Sequence, residues 1–321
     1  MNVKVDILVE HGATLYYPPI TEGINVEWQR RGRPGKLTFN IARDEHMQIE
    51  EGDAVRMQVN GQDFFFGFVF TKRYTSGDTV AVTVYDQLRY LKNKETYVYE
   101  NKTADSVVSM IAADFRLNAG ALTSTGWTIP HRVEDNSTLF DIIQNALDET
   151  IKNTSRMFVL YDDCGRLMLR DVETMKLPLL LDGSTVSDFD YKSSIDRDVF
   201  NQVKVVHEDT ESGARGIYMA KNSANIQKWG ILQLLSSVET AATGPKKASA
   251  LLTLHNRKQR TLTVRNALGD ARVRAGNSIV CMLELGDITI QNYMLVDGVR
   301  HTFTQNQHLM ELRLRGGLIS G

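Results

Sequence analysis

The chain has 321 residues, among them seven histidines, two cysteines and 39 acidic side chains, so it holds the raw material for metal binding, proton transfer and nucleophilic attack. Spacing decides whether any of it is used. His301 and His308 are seven apart, separated by the turn-forming stretch Gln305-Asn306-Gln307, which predicts a hairpin with the two imidazoles on paired strands or at the surface. Two imidazoles are half of a metal centre. A structural zinc site takes four nitrogen or sulfur ligands, and no carboxylate or thiol stands at ligand spacing to complete one. Cys281 sits in the apolar run Ile279-Val280-Cys281-Met282-Leu283 and reads as a core thiol. Cys164 follows Asp162-Asp163 in a Gly-containing turn and reads as exposed and free. Two isolated cysteines do not make a disulfide scaffold and fit a reducing compartment.

The densest carboxylate clusters are Glu50-Glu51-Gly52-Asp53 and Asp196-Arg197-Asp198. A glycosidase needs two carboxylates facing each other in one cleft, whereas both clusters adjoin turn residues where acids are solvated. The hairpin turn Asp162-Asp163-Cys164-Gly165 has no histidine near it in sequence. HExxH, GxSxG, GxxxxGK[ST] and a GxGxxG between strand and helix are all absent. No catalytic residue and no cofactor or metal is expected. The aromatic-basic run Phe70-Thr71-Lys72-Arg73-Tyr74 has the composition of a single-strand nucleic-acid platform. A strand end with snorkelling cations is the favoured reading, and the net charge of −2, which supplies no global attraction for nucleic acid or an anionic membrane, weighs further against the platform. No stretch reaches the ~20 apolar residues that a spanning helix requires, and the N-terminus does not read as a signal peptide, which predicts synthesis in a cytoplasm.

The elements that must carry these residues fall into three segments. Residues 1–92 read as β: Val3, Val5, Ile7 and Val9 alternate with Lys4, Asp6, Leu8 and Glu10, a mostly period-two pattern, and Phe64-Phe65-Phe66-Gly67-Phe68-Val69-Phe70 is a strand covered on both sides or set at a subunit interface. Residues 93–195 read as α+β. One helix is capped by Thr103 and carries Val107, Val108, Ile111, Ala112 and Phe115. A second, capped by Asn136 or Ser137, carries Leu139, Ile142, Ile143, Ala146, Leu147 and Ile151; a hairpin turns at Asp162 to Gly165. Residues 196–321 return to β, crossing a turn at Glu211-Ser212-Gly213, with one helix opened by Gly244-Pro245.

The two β-segments repeat one another. Leu37-Thr38-Phe39, Gly52-Asp53-Ala54-Val55, Gly67-Phe68-Val69-Phe70 and Asp78 to Val84 are answered by Leu262-Thr263-Val264, Gly276-Asn277-Ser278-Ile279, Met294-Leu295-Val296-Asp297 and His308 to Leu314. Duplicated modules around a different middle belong to an assembly protein more than to an enzyme built on one pocket. The expected fold class is mainly β with an α+β insert, two similar tube-like β-barrel modules flanking a small α+β domain.

This order of elements resembles the central hub proteins of contractile-tail baseplates, in the XkdQ/YqbQ branch found in defective prophages and tail-like bacteriocins. Gly52-Asp53-Ala54-Val55, the capped stretch Thr103 to Phe115, Asn201-Gln202-Val203-Lys204-Val205 and the closing His301-Thr302-Phe303 with His308 to Leu312 carry the resemblance, which spans essentially the whole chain. It implies a non-enzymatic homotrimer joining a sixfold tail tube, or its initiator protein, to a threefold spike. Three chains with two modules each would present six. Other baseplate proteins, including a LysM-type tail protein, are the further partners it implies, and the virion or particle baseplate is the implied location. The residues expected at interfaces are Phe64, Phe66, Phe68, Phe70, Arg30, Arg33, Arg257 and Arg260. A cell-wall glycan-binding or glycan-hydrolysing tail component is the competing reading.

Overall fold

A computed structural model describes residues 3–44, 47–74, 77–208, 214–238, 240–285, 289–304 and 307–316. The expected turn at Glu211 to Gly213 and positions 305 and 306 of the final hairpin lie outside them. The chain divides into two compact units, Met1–Asp190 with Leu262–Gly321, and Tyr191–Thr261.

The first unit is dominated by β structure. Strands Lys36–Ala42, Thr79–Tyr85, Gln62–Tyr74 and Ala54–Val59 lie side by side in that order, and so do Gln259–Leu268, Gln307–Arg315, Thr289–Thr304 and Ser278–Glu284. In chain order each set runs first, fourth, third, second, so the repeat seen in the sequence is a repeat of topology. The agreement reaches single residues. In one copy the Gly52 N–H donates to Val69 C=O at 2.8 Å and the Val69 N–H to Asp53 C=O at 2.9 Å; in the other, Gly276 donates to Val296 and Val296 to Asn277, both at 2.8 Å. Gly52 and Gly276 have φ of 101° and 98°, a region that L side chains rarely adopt. Register slips once between Val69 and Thr71 and once between Val296 and Gly298, leaving Phe70 and Asp297 as matching bulge residues.

Closed barrels were expected and no closed barrel is found. Both copies belong to a single thirteen-stranded sheet. Closure would require each copy to satisfy its own edges. Instead Gly298 to Phe303, paired on one side with Gln307–Arg315, pairs on the other with Ile24 to Gln29 next to the first copy. Alternation still sets the core: Leu37, Phe39, Val55, Met57, Val82 and Val84 are buried in one copy, and Leu262, Val264, Ile279, Cys281, Leu312 and Leu314 in the other.

Helices Ala104–Asp114 and Leu139–Thr154 bury their apolar faces against each other and against Phe158, Leu167 and Leu169 of the hairpin. The second helix is capped by Thr138, whose hydroxyl accepts the Asp141 N–H at 3.1 Å. Asn136 and Ser137, the expected caps, precede it, and Asn136 has a positive φ of 46°.

The second unit is a three-stranded sheet ordered Arg215–Lys221, Gln202–Glu208, Gln233–Val238. Helix Gly244–His255 covers one face, packing Ala248, Leu251 and Leu252 against Val203, Val205 and Leu234.

Candidate assembly surface

The candidate chemical groups come first, because their surroundings decide whether the molecule can act as an enzyme there. His301 and His308 meet, with Nδ1 of the first 2.8 Å from Nε2 of the second. Nε2 of His301 is 2.9 Å from the Val273 carbonyl, which can only accept. His301 therefore carries its proton on Nε2, and His308 donates from Nε2. Burial, and secondarily His308, pushes His301 down to about 3; burial pushes His308 down to about 4. The pair is neutral and packed, with Phe64 edge-on to His301 at 5.2 Å and Phe303 stacked on His308 at 4.2 Å. Of the two expected settings, the strand pair holds and the surface does not. Among the described residues no group of three or more His, Cys, Asp or Glu is placed to hold a metal.

The turn at Asp162 is not the exposed corner the sequence implies. Asp162 is buried, accepting from Gln87 Nε2 at 2.7 Å and from the Gly165 N–H at 2.8 Å. Near it Asp86, also buried, accepts the N–H groups of Gly35 at 2.9 Å and Leu88 at 3.1 Å. Burial, then the neighbouring Asp162, holds Asp86 well above the usual carboxylate range, and burial pushes Asp162 up to about 6. Arg274 closes the cluster, its guanidinium 4.5 Å over Tyr161 and 5.2 Å over Trp28, with one N–H on the Asp162 carbonyl at 3.2 Å. Every polar group in this knot satisfies a loop or another side chain. Cys164 is half-buried, its thiol pushed up to about 11 by burial and then by Asp163, far from a thiolate at neutral pH. Cys281 is buried, as expected.

The surface residues separate into three groups. Phe64 is the extra residue of a second bulge, opposite Met57 and Gln58, and is buried against Trp28 at 5.1 Å and Phe303 at 5.6 Å. It presents nothing to the surface. Phe65, Gly67 and Val69 also point inward, so Phe66, Phe68 and Phe70 form the outward row, each half-buried. Phe66 and Phe68 meet edge-on at 5.6 Å, Tyr90 bridges Phe68 and Phe70 at 6.3 and 6.0 Å, and Arg56 and Arg89 lie over Phe66 and Phe70. A shallow cleft of about 320 Å³ opens between Phe66, Arg56, Leu8 and Leu15.

The arginines divide likewise. Arg30 is buried, its Nε 2.7 Å from Asp297 Oδ1, and burial is the main cause of its lowered basicity. The signal was present: Arg30 continues the inward parity of Ile24, Val26 and Trp28. Arg33 is exposed. Arg257 and Arg260 are exposed on the other compact unit, where Arg260 Nε reaches the Tyr191 hydroxyl at 3.2 Å. Among the described residues, the outward row of Phe66, Phe68 and Phe70 with Arg56 and Arg89 offers half-covered aromatic and cationic surface for packing against other macromolecules.

Comparison with known proteins gives the geometry a context. The family model described as YQBQ-like matches residues 24–315. The Bacillus subtilis phage-like element PBSX protein XkdQ is 28% identical over 303 residues, covering 91% of each chain. The uncharacterized protein YqbQ of the same species is 27% identical over the same share. Among solved structures, a tail protein from Neisseria meningitidis superposes with a TM-score of 0.72 at 13% identity, covering 98% of this chain and 97% of that one.

Proposed function

This chain belongs to the YQBQ-like family, and on that premise we propose that it is a structural component of a phage-type tail baseplate, acting without catalysis of its own. In its finer form the reading is a trimeric hub that mates a sixfold tail tube or tube initiator with a threefold central spike. Other baseplate proteins, a LysM-type tail protein among them, contact its periphery. It is made in the bacterial host cytoplasm and incorporated into the virion or tail-like particle.

The observation that supports this is the duplication: one strand order, one pair of Gly-Asx turns and one bulge, used twice in one chain. Three such chains present six equivalent units, which reconciles the two symmetries without a second gene product. Residues 1–92, 93–195 and 196–321 are proposed as the units of descent, a duplicated β-segment separated by an α+β insertion. Phe66, Phe68, Phe70, Arg33, Arg257 and Arg260 are the interface residues that remain on the surface.

Averaged images of the purified particle test this directly. Three copies on the tail axis are expected; six copies, or copies on the particle exterior, would sink the hub. A zymogram on peptidoglycan separates the glycan-hydrolysing alternative, and no clearing is expected.

A further inference from the structure

The net charge of −2 hides a partition. Residues 191–261 hold eleven Lys and Arg against six Asp and Glu, +5, while the rest of the chain holds 26 against 33, −7. The basic unit also ends its sheet on an unusual strand, Gln233–Val238. On the inner side the Leu232 carbonyl accepts from the N–H groups of Asn201 and Gln202 at 2.9 and 3.1 Å, and the Val238 carbonyl faces His207 Nδ1 at 3.2 Å. Backbone groups alternate along a strand, so Gln233, Leu235 and Ser237 turn theirs outward. Among the described residues the only partner there is Lys247, whose Nζ donates to the Ser237 carbonyl at 2.7 Å.

Natural edges are blunted by charge, proline or a bulge. The sequence Gln-Leu-Leu-Ser-Ser-Val has no charge and no proline, and it pairs with Gln202–Glu208 without a register shift. The opposite edge strand, by contrast, carries Arg215 and Lys221. Leu235 is 61% exposed, and a cleft of about 610 Å³ beside the strand is lined by Val206, Leu235, Ser237, Glu208 and Arg215.

We propose that Gln233–Val238 receives an extended acidic segment of another protein, added as a fourth strand. The outward N–H and C=O groups require an extended partner. Leu235 accepts apolar side chains at alternate positions, and the +5 unit with Lys247 at this edge selects carboxylates on the others. This stands independently of the hub reading, since it concerns one unit of one chain.

The test uses the full chain and a fluorescein-labelled eight-residue peptide of alternating Glu and Val. Binding is expected, about tenfold weaker for the alternating Lys-Val counterpart and about tenfold weaker when two residues on the pairing side are replaced by Pro. Lys247→Gln, on the exposed side of a helix, should weaken the acidic peptide about threefold and leave the Lys-Val peptide unaffected. Hydrogen exchange at Leu235 and Ser237 should slow about tenfold on binding, with Ile217 and Met219 unchanged. Failure to bind, equal binding of both peptides, or protection at 215–221 instead would overturn the proposal. So would a free chain that is already dimeric and protected at 233–238, because the occupant would then be a second copy.

Discussion

The two copies of the repeat keep the same backbone and differ in what the backbone displays. At the shared bulge the first copy has Phe70, packed on Tyr85 at 5.5 Å; the second has Asp297, paired with Arg315 at 2.9 Å. Tyr85 and Arg315 are themselves equivalent, facing Phe68 and Leu295 in the matching registers. An aromatic pair has become an ion pair on an unchanged bulge. Asp297 also serves Arg30, so the second copy's bulge closes a buried contact, while the first copy's bulge feeds the aromatic row. Ladder hydrogen bonds and the Gly-Asx turn resist change because every residue of the copy depends on them. A bulge residue stands outside the ladder and is free to diverge.

Gly67 and Met294 occupy equivalent positions and give the largest expected contrast. A Cβ on Gly67 would lie 2.3 Å from the Tyr85 carbonyl, so Gly67→Val should cost upwards of about 3 kcal/mol or prevent folding. Met294→Val, at a site that already accepts a side chain, should cost about 1 kcal/mol. Equal thermal melting shifts for the two would break the equivalence.

The bulge itself comes next. Asp297→Ala strands the buried Arg30 and should cost about 3 kcal/mol, whereas Phe70→Ala, half-buried, should cost about 1 kcal/mol. Denaturant midpoints check both, and a larger loss for Phe70→Ala would reverse the assignment of the two bulges.

A pH series separates the copies without touching the scaffold, because only the second carries the histidine pair. Both imidazoles are depressed below the ordinary 6.5, so their contribution is complete above that value and is lost as pH falls towards about 4 and then 3. Asp162, raised to about 6, has the opposite slope: its contribution is present at low pH and is lost as pH rises from 3.8 through 6. The stability of the chain between pH 4 and 6 is thus a partial cancellation. Asp86, held up likewise, has the same sign as Asp162, so Asp162→Asn should steepen the fall of the melting temperature below pH 6.5 relative to the unaltered chain, and an unchanged profile in that variant would contradict it.

The smallest contrast concerns the turns. The Asp53 carboxylate accepts the Glu50 N–H at 2.6 Å, and the Asn277 amide oxygen accepts the Arg274 N–H at 2.7 Å. Asn277 is buried and also donates to the Met175 carbonyl at 3.0 Å. Asp53 has a second partner as well, His11 Nδ1 at 3.0 Å, but is only half-buried, so Asn277→Ala should cost about 2 kcal/mol and Asp53→Ala about 1 kcal/mol, read from urea midpoints; equal losses would show that the deeper burial of Asn277 contributes nothing.

The repeat was legible because a turn and the alternation of a strand are local: Gly52-Asp53 and Gly276-Asn277 announce themselves in four residues, and the register follows from the apolar positions after them. The helix positions were legible for the same reason. Thr103, the cap position of the first helix, was legible too; that of the second was not, since Asn136, Ser137 and Thr138 are all good caps and only the backbone path selects Thr138. Strand Gln233–Val238 and helix Ser223–Trp229 were missed, the first because Leu234-Leu235 between Gln and Ser has no clear period.

By itself the sequence determined a mainly β chain with a duplicated four-strand unit, two amphipathic helices between the copies and no assembled catalytic motif, because each of those is written in neighbouring residues. The tertiary structure decided the rest. It joined the copies through strand Ile20–Gln29 instead of closing them, buried Arg30 against Asp297 from 267 positions away, and turned Asp162 and His301 from apparent surface into core. It also sorted a near-neutral chain into a basic and an acidic part. Burial and charge separation depend on which distant segments meet, and no local pattern carries that information.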